Sequence, residues 1–112
     1  ESLDFANHVS SLNHFQASRD SDGVYRYVVS AGDPGTQNWL DTTGLPSGYL
    51  TLRFTFSDMP DASSFPRVST QLIELSEVRN LLPKDTPIFS AVDRAAQIAI
   101  RKQHVARRYR QF

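Results

Sequence analysis

The segment of residues 49–56 (YLTLRFTF) constrains the fold more than any other part of this 112-residue chain. Its apolar and polar side chains alternate, and the apolar set is Leu50, Leu52, Phe54 and Phe56. A period of two is typical of a β-strand that buries one face. The segment therefore predicts a strand whose apolar face packs into a core.

Three further strands are predicted. Residues 24–29 are rich in β-branched and aromatic side chains and follow Asp22-Gly23, a strong hairpin-turn signal. Residues 9–17 are the expected antiparallel partner, and a fourth strand is predicted over about 67–75, so the β region spans about 9–78. This order predicts a mainly β protein, an antiparallel β-sandwich with a C-terminal α-helix. Four or five strands are few for a closed sandwich, so we expect further strands from an upstream domain of a longer chain or from a second subunit.

The C-terminal helix is predicted over about 90–110. Ser90 and Asp93 have the spacing of a capping box. Apolar residues then recur at helical spacing, and we expect three of them to form an interface in a homo-oligomer: Ile98, Val105 and Tyr109. A basic stripe runs beside them, consisting of Arg94, Gln97, Arg101, His104 and Arg108.

Charge is unevenly distributed although the net charge is zero. Residues 90–112 carry six Lys and Arg against one acid, and residues 1–89 carry six against eleven. Such asymmetry indicates either an anionic partner or pairing between the two parts of the molecule. Five of the six late bases are Arg, which suits fixed carboxylate pairs, and few aromatic residues lie among them. We therefore favour internal pairing and do not expect nucleic acid as a partner.

Several classes of function lack their sequence signals. The length suits one domain, residues 1–112, and no apolar run reaches membrane-spanning length. Cysteine is absent, and no phosphate-binding loop or serine nucleophile elbow occurs. His8 and His14 have no evident third metal ligand nearby, so neither a metal nor a cofactor is predicted. The chain opens on Glu1 and is interpreted as part of a longer protein, in the cytoplasm or the periplasm.

Two stretches carry a resemblance to a known family. They are residues 11–54, with Asp22-Gly23, Pro34-Gly35, Asn38-Trp39-Leu40 and Leu52-Arg53-Phe54, and the basic end RAAQIAIRKQHVARRY at 94–109. In this order they resemble a bacterial family known as domain of unknown function 1214. The resemblance implies a β-sandwich of jelly-roll type at the C-terminal end of a longer chain, often beside domain of unknown function 1254. It implies no catalytic residue and no cofactor.

The only tryptophan lies in a loop, DPGTQNWLD, where neither a helix nor a strand is predicted. One hypothesis is a binding site for a carbohydrate or polar metabolite, formed by Asp33, Asn38, Trp39, Asp41 and Arg53. The alternative is structural: Trp39 closes the edge of the fold, and Arg53 pairs with Asp41 or Asp33. The predicted function is accordingly a structural or protein-interaction role, with ligand binding, or a wall of an enzyme site completed upstream, as alternatives. Catalysis by this segment alone is not expected.

Overall fold

The computed structural model describes residues 6–108. Its strands are β1 (Val28–Ser30) and β2 (Trp39–Asp41), and its α-helices are α1 (Val78–Leu81) and α2 (Ala91–Arg108). Short 3₁₀ turns lie at Ala62–Ser64 and Leu75–Glu77. The two strands pair in parallel, with Val29 opposite Leu40, and form a two-stranded sheet.

The predicted antiparallel β-sandwich, jelly-roll-like or otherwise, is wrong. Over residues 6–108 the sheet has two short strands, and their pairing is parallel. The predicted strands at 9–17, 49–56 and 67–75 are not formed, and only the end of the predicted strand at 24–29 enters β1. The physical reason is that alternation specifies which face of a strand is apolar, whereas a strand forms only when another backbone accepts its hydrogen bonds.

The Asp22-Gly23 turn forms although the hairpin does not. The Asp20 N–H donates to the Val24 carbonyl at 2.9 Å, and Gly23 has a φ of +85°. Only a residue without a side chain adopts that conformation without strain. Arg26 then pairs with both Asp20 and Asp22, at 2.9 and 2.8 Å. This cluster holds the turn without a facing strand.

Helix α2 begins at the predicted capping box. The Asp93 N–H donates to Ser90 Oγ at 3.1 Å, and the Ser90 N–H donates to Asp93 Oδ2 at 2.9 Å. These bonds satisfy two donors at the helix start and lower the pKa of Asp93. Ile98 and Val105 are half-buried, while Tyr109 lies outside the described residues. The basic stripe is not wholly exposed to solvent, since its first residue, Arg94, is buried.

The buried core is small. Among the described residues, the buried apolar side chains are Val9, Ala17, Trp39 and Val78. The Cα radius of gyration is 15.6 Å, whereas a compact domain of this length has about 13 Å. Much of the apolar surface, including residues 49–56, therefore remains exposed.

Candidate functional site

Trp39 occupies the centre of the predicted loop site and is buried. Trp39 is the first residue of β2, and 7% of its surface is exposed. The indole N–H donates to the Ser30 carbonyl at 3.1 Å and to Ser30 Oγ at 3.0 Å. Both contacts link β2 to the end of β1. The ring thus fixes the loop between the strands.

Arg94 of α2 lies over Trp39. Its guanidinium carbon is 4.9 Å from the centre of the Trp39 ring and 4.5 Å from that of Phe89. Arginine above an aromatic face is attracted by the ring's negative quadrupole, and more strongly when water is excluded. Arg94 is 5% exposed, so this interaction is largely desolvated.

The same guanidinium holds the Pro-Gly loop through hydrogen bonds. Nε and Nη2 donate to the two oxygens of Asp33, each at 3.0 Å. Nη2 also donates to the Thr36 carbonyl, and Nη1 donates to Gln97 Oε1 at 2.8 Å. A planar fork that binds both carboxylate oxygens is a geometry that lysine cannot provide. Arg94 therefore joins α2 to the loop and to the Trp39 ring.

Asp33 carries the negative charge of this cluster. Partial burial raises its pKa, but hydrogen bonds from Arg94 and from the Gly35 N–H, together with the charge of Arg94, outweigh burial and lower the pKa. The Gly35 N–H donates at 2.8 Å, and Gly35 itself has a φ of +75°. The Pro34-Gly35 turn thus presents a carboxylate to the helix and stabilises its charged form.

Asn38 binds a second stretch of chain. Its Oδ1 accepts from the Ser18 N–H at 2.7 Å, and its Nδ2 donates to the Ser18 carbonyl at 2.6 Å. The amide therefore satisfies both backbone groups of one residue, as a neighbouring strand would. Because Asn38 is buried, these bonds are shielded from water and hold residue 18 against β2.

Asp41 binds the N-terminal part of the described chain. Its Oδ2 lies 2.8 Å from His8 Nδ1, and its Oδ1 accepts from the Thr43 N–H at 2.8 Å. The Asp41 N–H donates to the carbonyl of Val9 at 2.7 Å. These bonds place the side chain of Val9, which is fully buried, against the sheet.

Arg53 is the one predicted site residue that the structure does not bring to the loop. It is exposed, and no hydrogen bond or ion pair within residues 6–108 involves it. The expected pairing of Arg53 with Asp33 or Asp41 is wrong, because Arg94 and His8 take those places. The helical spacing of Arg94 was visible in the sequence, but its partner in space was not.

Most polar groups of the predicted loop site already form hydrogen bonds with other parts of the chain. A polar cavity of about 10 Å³ beside Thr36, Asn38 and Arg26 has room for about one water molecule. Nowhere in residues 6–108 do three or more His, Cys, Asp or Glu side chains group as a metal site would require. No helix in that range is long and apolar enough to cross a membrane.

Residues 49–56 form a second candidate surface, which we call the exposed strand segment. Its four apolar side chains, Leu50, Leu52, Phe54 and Phe56, are 42–50% exposed. Phe56 packs edge-to-face on Phe65 at 6.0 Å, and both border an open cleft of about 280 Å³ with Met59 and Pro60. Exposed apolar patches of this kind are typical of binding surfaces in other proteins.

Comparison with the models of known protein families, with curated proteins and with solved structures returned no match. The resemblance to domain of unknown function 1214 therefore stays a prediction.

Proposed function

We propose that the chain has a structural, protein-interaction role, in which the exposed strand segment pairs with a strand of another polypeptide. The observation that carries this proposal is the exposure of all eight of its residues, although their alternation is that of a half-buried strand. A second copy is a partner of this kind, and an upstream domain of the same longer chain would offer a strand in the same way.

The chemistry of the segment supports strand pairing in particular. Phenylalanine, threonine and tyrosine favour pleated, half-buried surfaces, and they make up five of the eight residues in 49–56. No proline interrupts the segment, so every residue can donate a backbone hydrogen bond. Strand addition uses these donors for affinity and the alternating side chains for specificity.

The Trp39 loop has a supporting part in this role. Arg94, Asn38 and Asp41 each attach a different segment to the β1–β2 pair. These contacts hold the loop in place, and the exposed strand segment follows it along the chain. Binding of a carbohydrate or polar metabolite at the loop stays a prediction, and the burial of Trp39 leaves little of its ring for a ligand to stack upon.

Amide hydrogen exchange measured by mass spectrometry tests the interaction role. The probe polypeptide is the chain itself, because at high concentration other copies of the chain supply open strand edges. In dilute solution we expect amides 50–56 to exchange as in an unstructured peptide, and at high concentration we expect them to be protected at least tenfold. Protection in the dilute monomer, or no protection at any concentration, would contradict the proposal. Helix α2 serves as the internal control, since its own hydrogen bonds protect it at both concentrations.

A further inference from the structure

We propose that the exposed strand segment of one copy docks on the open edge of β1 in a second copy, reciprocally, so that two chains exchange strands. This inference rests on the proposed function and names its partner. It follows from the edge of β1, from its exposed apolar face and from the charges beside it.

The edge of β1 opposite β2 is open. The Val28 N–H donates to the Asn38 carbonyl at 2.8 Å, and the Ser30 carbonyl accepts from Thr42 at 3.2 Å, so both residues bond toward β2. Peptide groups of successive strand residues point to opposite edges, which directs the N–H and C=O of Val29 away from β2. In the part of the chain that the structure describes, the sheet has no third strand there. An edge of this kind is a template for another strand.

The apolar face beside this edge matches the segment. Tyr25, Tyr27 and Val29 lie on one side of the backbone and are 38–51% exposed. The two tyrosine rings are nearly parallel, with centroids 6.5 Å apart. A strand added at this edge with Leu52 and Phe54 on the same side would extend the face by cross-strand aromatic and aliphatic pairs.

The charges beside the edge are complementary. Arg26 points away from the tyrosine face and is bound by Asp20 and Asp22, so this cluster carries one net negative charge. In the added strand, Arg53 lies on the side opposite Leu52 and Phe54. Docking with the apolar sides aligned therefore brings Arg53 to the acidic cluster. The opposite alignment would place Arg53 among the tyrosine rings and the leucines beside the carboxylates.

A second copy is the occupant because every chain carries both halves of the contact. Within residues 6–108 each copy offers the open edge of β1 and the unpaired exposed strand segment, so two copies related by a two-fold axis satisfy both β1 edges at once. If only one of the two segments docked, one β1 edge would stay open, so the reciprocal pair is favoured.

Disulfide trapping tests the exchange, since the chain contains no cysteine. Val29→Cys chains are mixed with chains carrying Leu50→Cys, Leu52→Cys, Phe54→Cys or Phe56→Cys and are oxidised in a glutathione buffer. Directly paired residues have Cα atoms about 4.5–5.5 Å apart, within disulfide range. We expect one or two of these four mixtures to give a mixed disulfide in at least fivefold greater yield than the matched controls Thr51→Cys and Thr55→Cys, which lie on the other face.

Besides the absence of any specific bridge, two results would overturn the exchange. One is equal yield at even and odd positions, which means random collision. The other is a bridge that forms only within a single chain in the Val29→Cys/Leu52→Cys double variant at high dilution. Unchanged Trp39 emission and α2 ellipticity show that each variant is folded. If amides 50–56 become protected at high concentration without specific trapping, the interaction role stands and the β1 edge is the wrong partner; if neither occurs, both proposals fail.

Discussion

Replacement of Arg94 by methionine tests how the molecule is held together. The substitution keeps the length of the side chain and removes the guanidinium, which leaves Asp33 with the Gly35 N–H alone and takes the Arg94 donor from the Thr36 carbonyl. Removing one member of a fully buried ion pair costs about 3–5 kcal/mol. The Asp33 side chain is 36% exposed, so water compensates part of its charge. Allowing for that solvation, we expect a loss of about 2–3 kcal/mol in the free energy of unfolding.

Urea denaturation followed by Trp39 fluorescence measures this loss, because the only tryptophan lies against the altered residue. With a urea slope of about 1–3 kcal/mol/M, the midpoint falls by about 0.7–3 M. The matched control is Arg107→Met on the same helix, where the arginine is exposed and the expected change is within about 0.5 kcal/mol. Arg94→Met and Arg107→Met with equal midpoints would refute the role assigned to Arg94. Arg94→Lys is expected to lie between them, since it keeps the charge without the two-pronged bond.

Three further outcomes are expected. Asp33 has a lowered pKa, so its contribution to stability is present above its ordinary pKa of about 4 and is lost as the pH falls through the pKa of the folded state. The difference in free energy of unfolding between the native chain and Asp33→Asn should therefore shrink below pH 4, and a constant difference would contradict this. Ser90→Ala removes the cap of α2 and should lower the free energy of unfolding by about 1 kcal/mol, measured by ellipticity at 222 nm, whereas Ser63→Ala should not. Gly23→Ala places a side chain at a φ of +85° and should destabilise the turn by about 1 kcal/mol in urea, whereas Gly48→Ala, where φ is not positive, should cost less.

Local signals in the sequence predicted local structure correctly. The capping box at Ser90 and Asp93 and the turn at Asp22-Gly23 both form, because each depends on residues a few positions apart. The helix that follows Ser90 spans Ala91–Arg108, close to the predicted 90–110. Such features carry their hydrogen-bond partners within the same few residues.

The sheet could not be predicted in the same way. The alternation in residues 49–56 is unambiguous, yet it contains no information about which backbone lies beside it. Conversely, β2 starts at Trp39 in a stretch with strong turn signals, and it forms because Ser30, Val9 and Arg94 supply its partners from distant positions. Contacts between residues far apart in sequence therefore determine both the absence of a strand at 49–56 and the presence of β2.

The candidate site shows the same division. Asp33, Asn38, Trp39 and Asp41 all make contacts that depend on the loop, as their clustering in the sequence indicated. The predicted arginine is wrong: Arg53 is near the loop in sequence, whereas Arg94 reaches it from a helix that begins 50 residues after the loop ends at Asp41. The sequence shows the basic stripe on that helix and favours its pairing with the acidic part of the chain, and the Arg94–Asp33 ion pair is of that kind.

Sedimentation equilibrium over a range of concentrations tests the interaction role most directly. The native chain is compared with Leu52→Thr/Phe54→Thr, which keeps strand propensity and removes two exposed apolar side chains, and with Thr51→Ser/Thr55→Ser on the opposite face. The interaction role predicts that the native chain and the serine variant self-associate and that the Leu52→Thr/Phe54→Thr variant stays monomeric with unchanged ellipticity. A native chain that is monomeric throughout, or equal association of all three proteins, would contradict it.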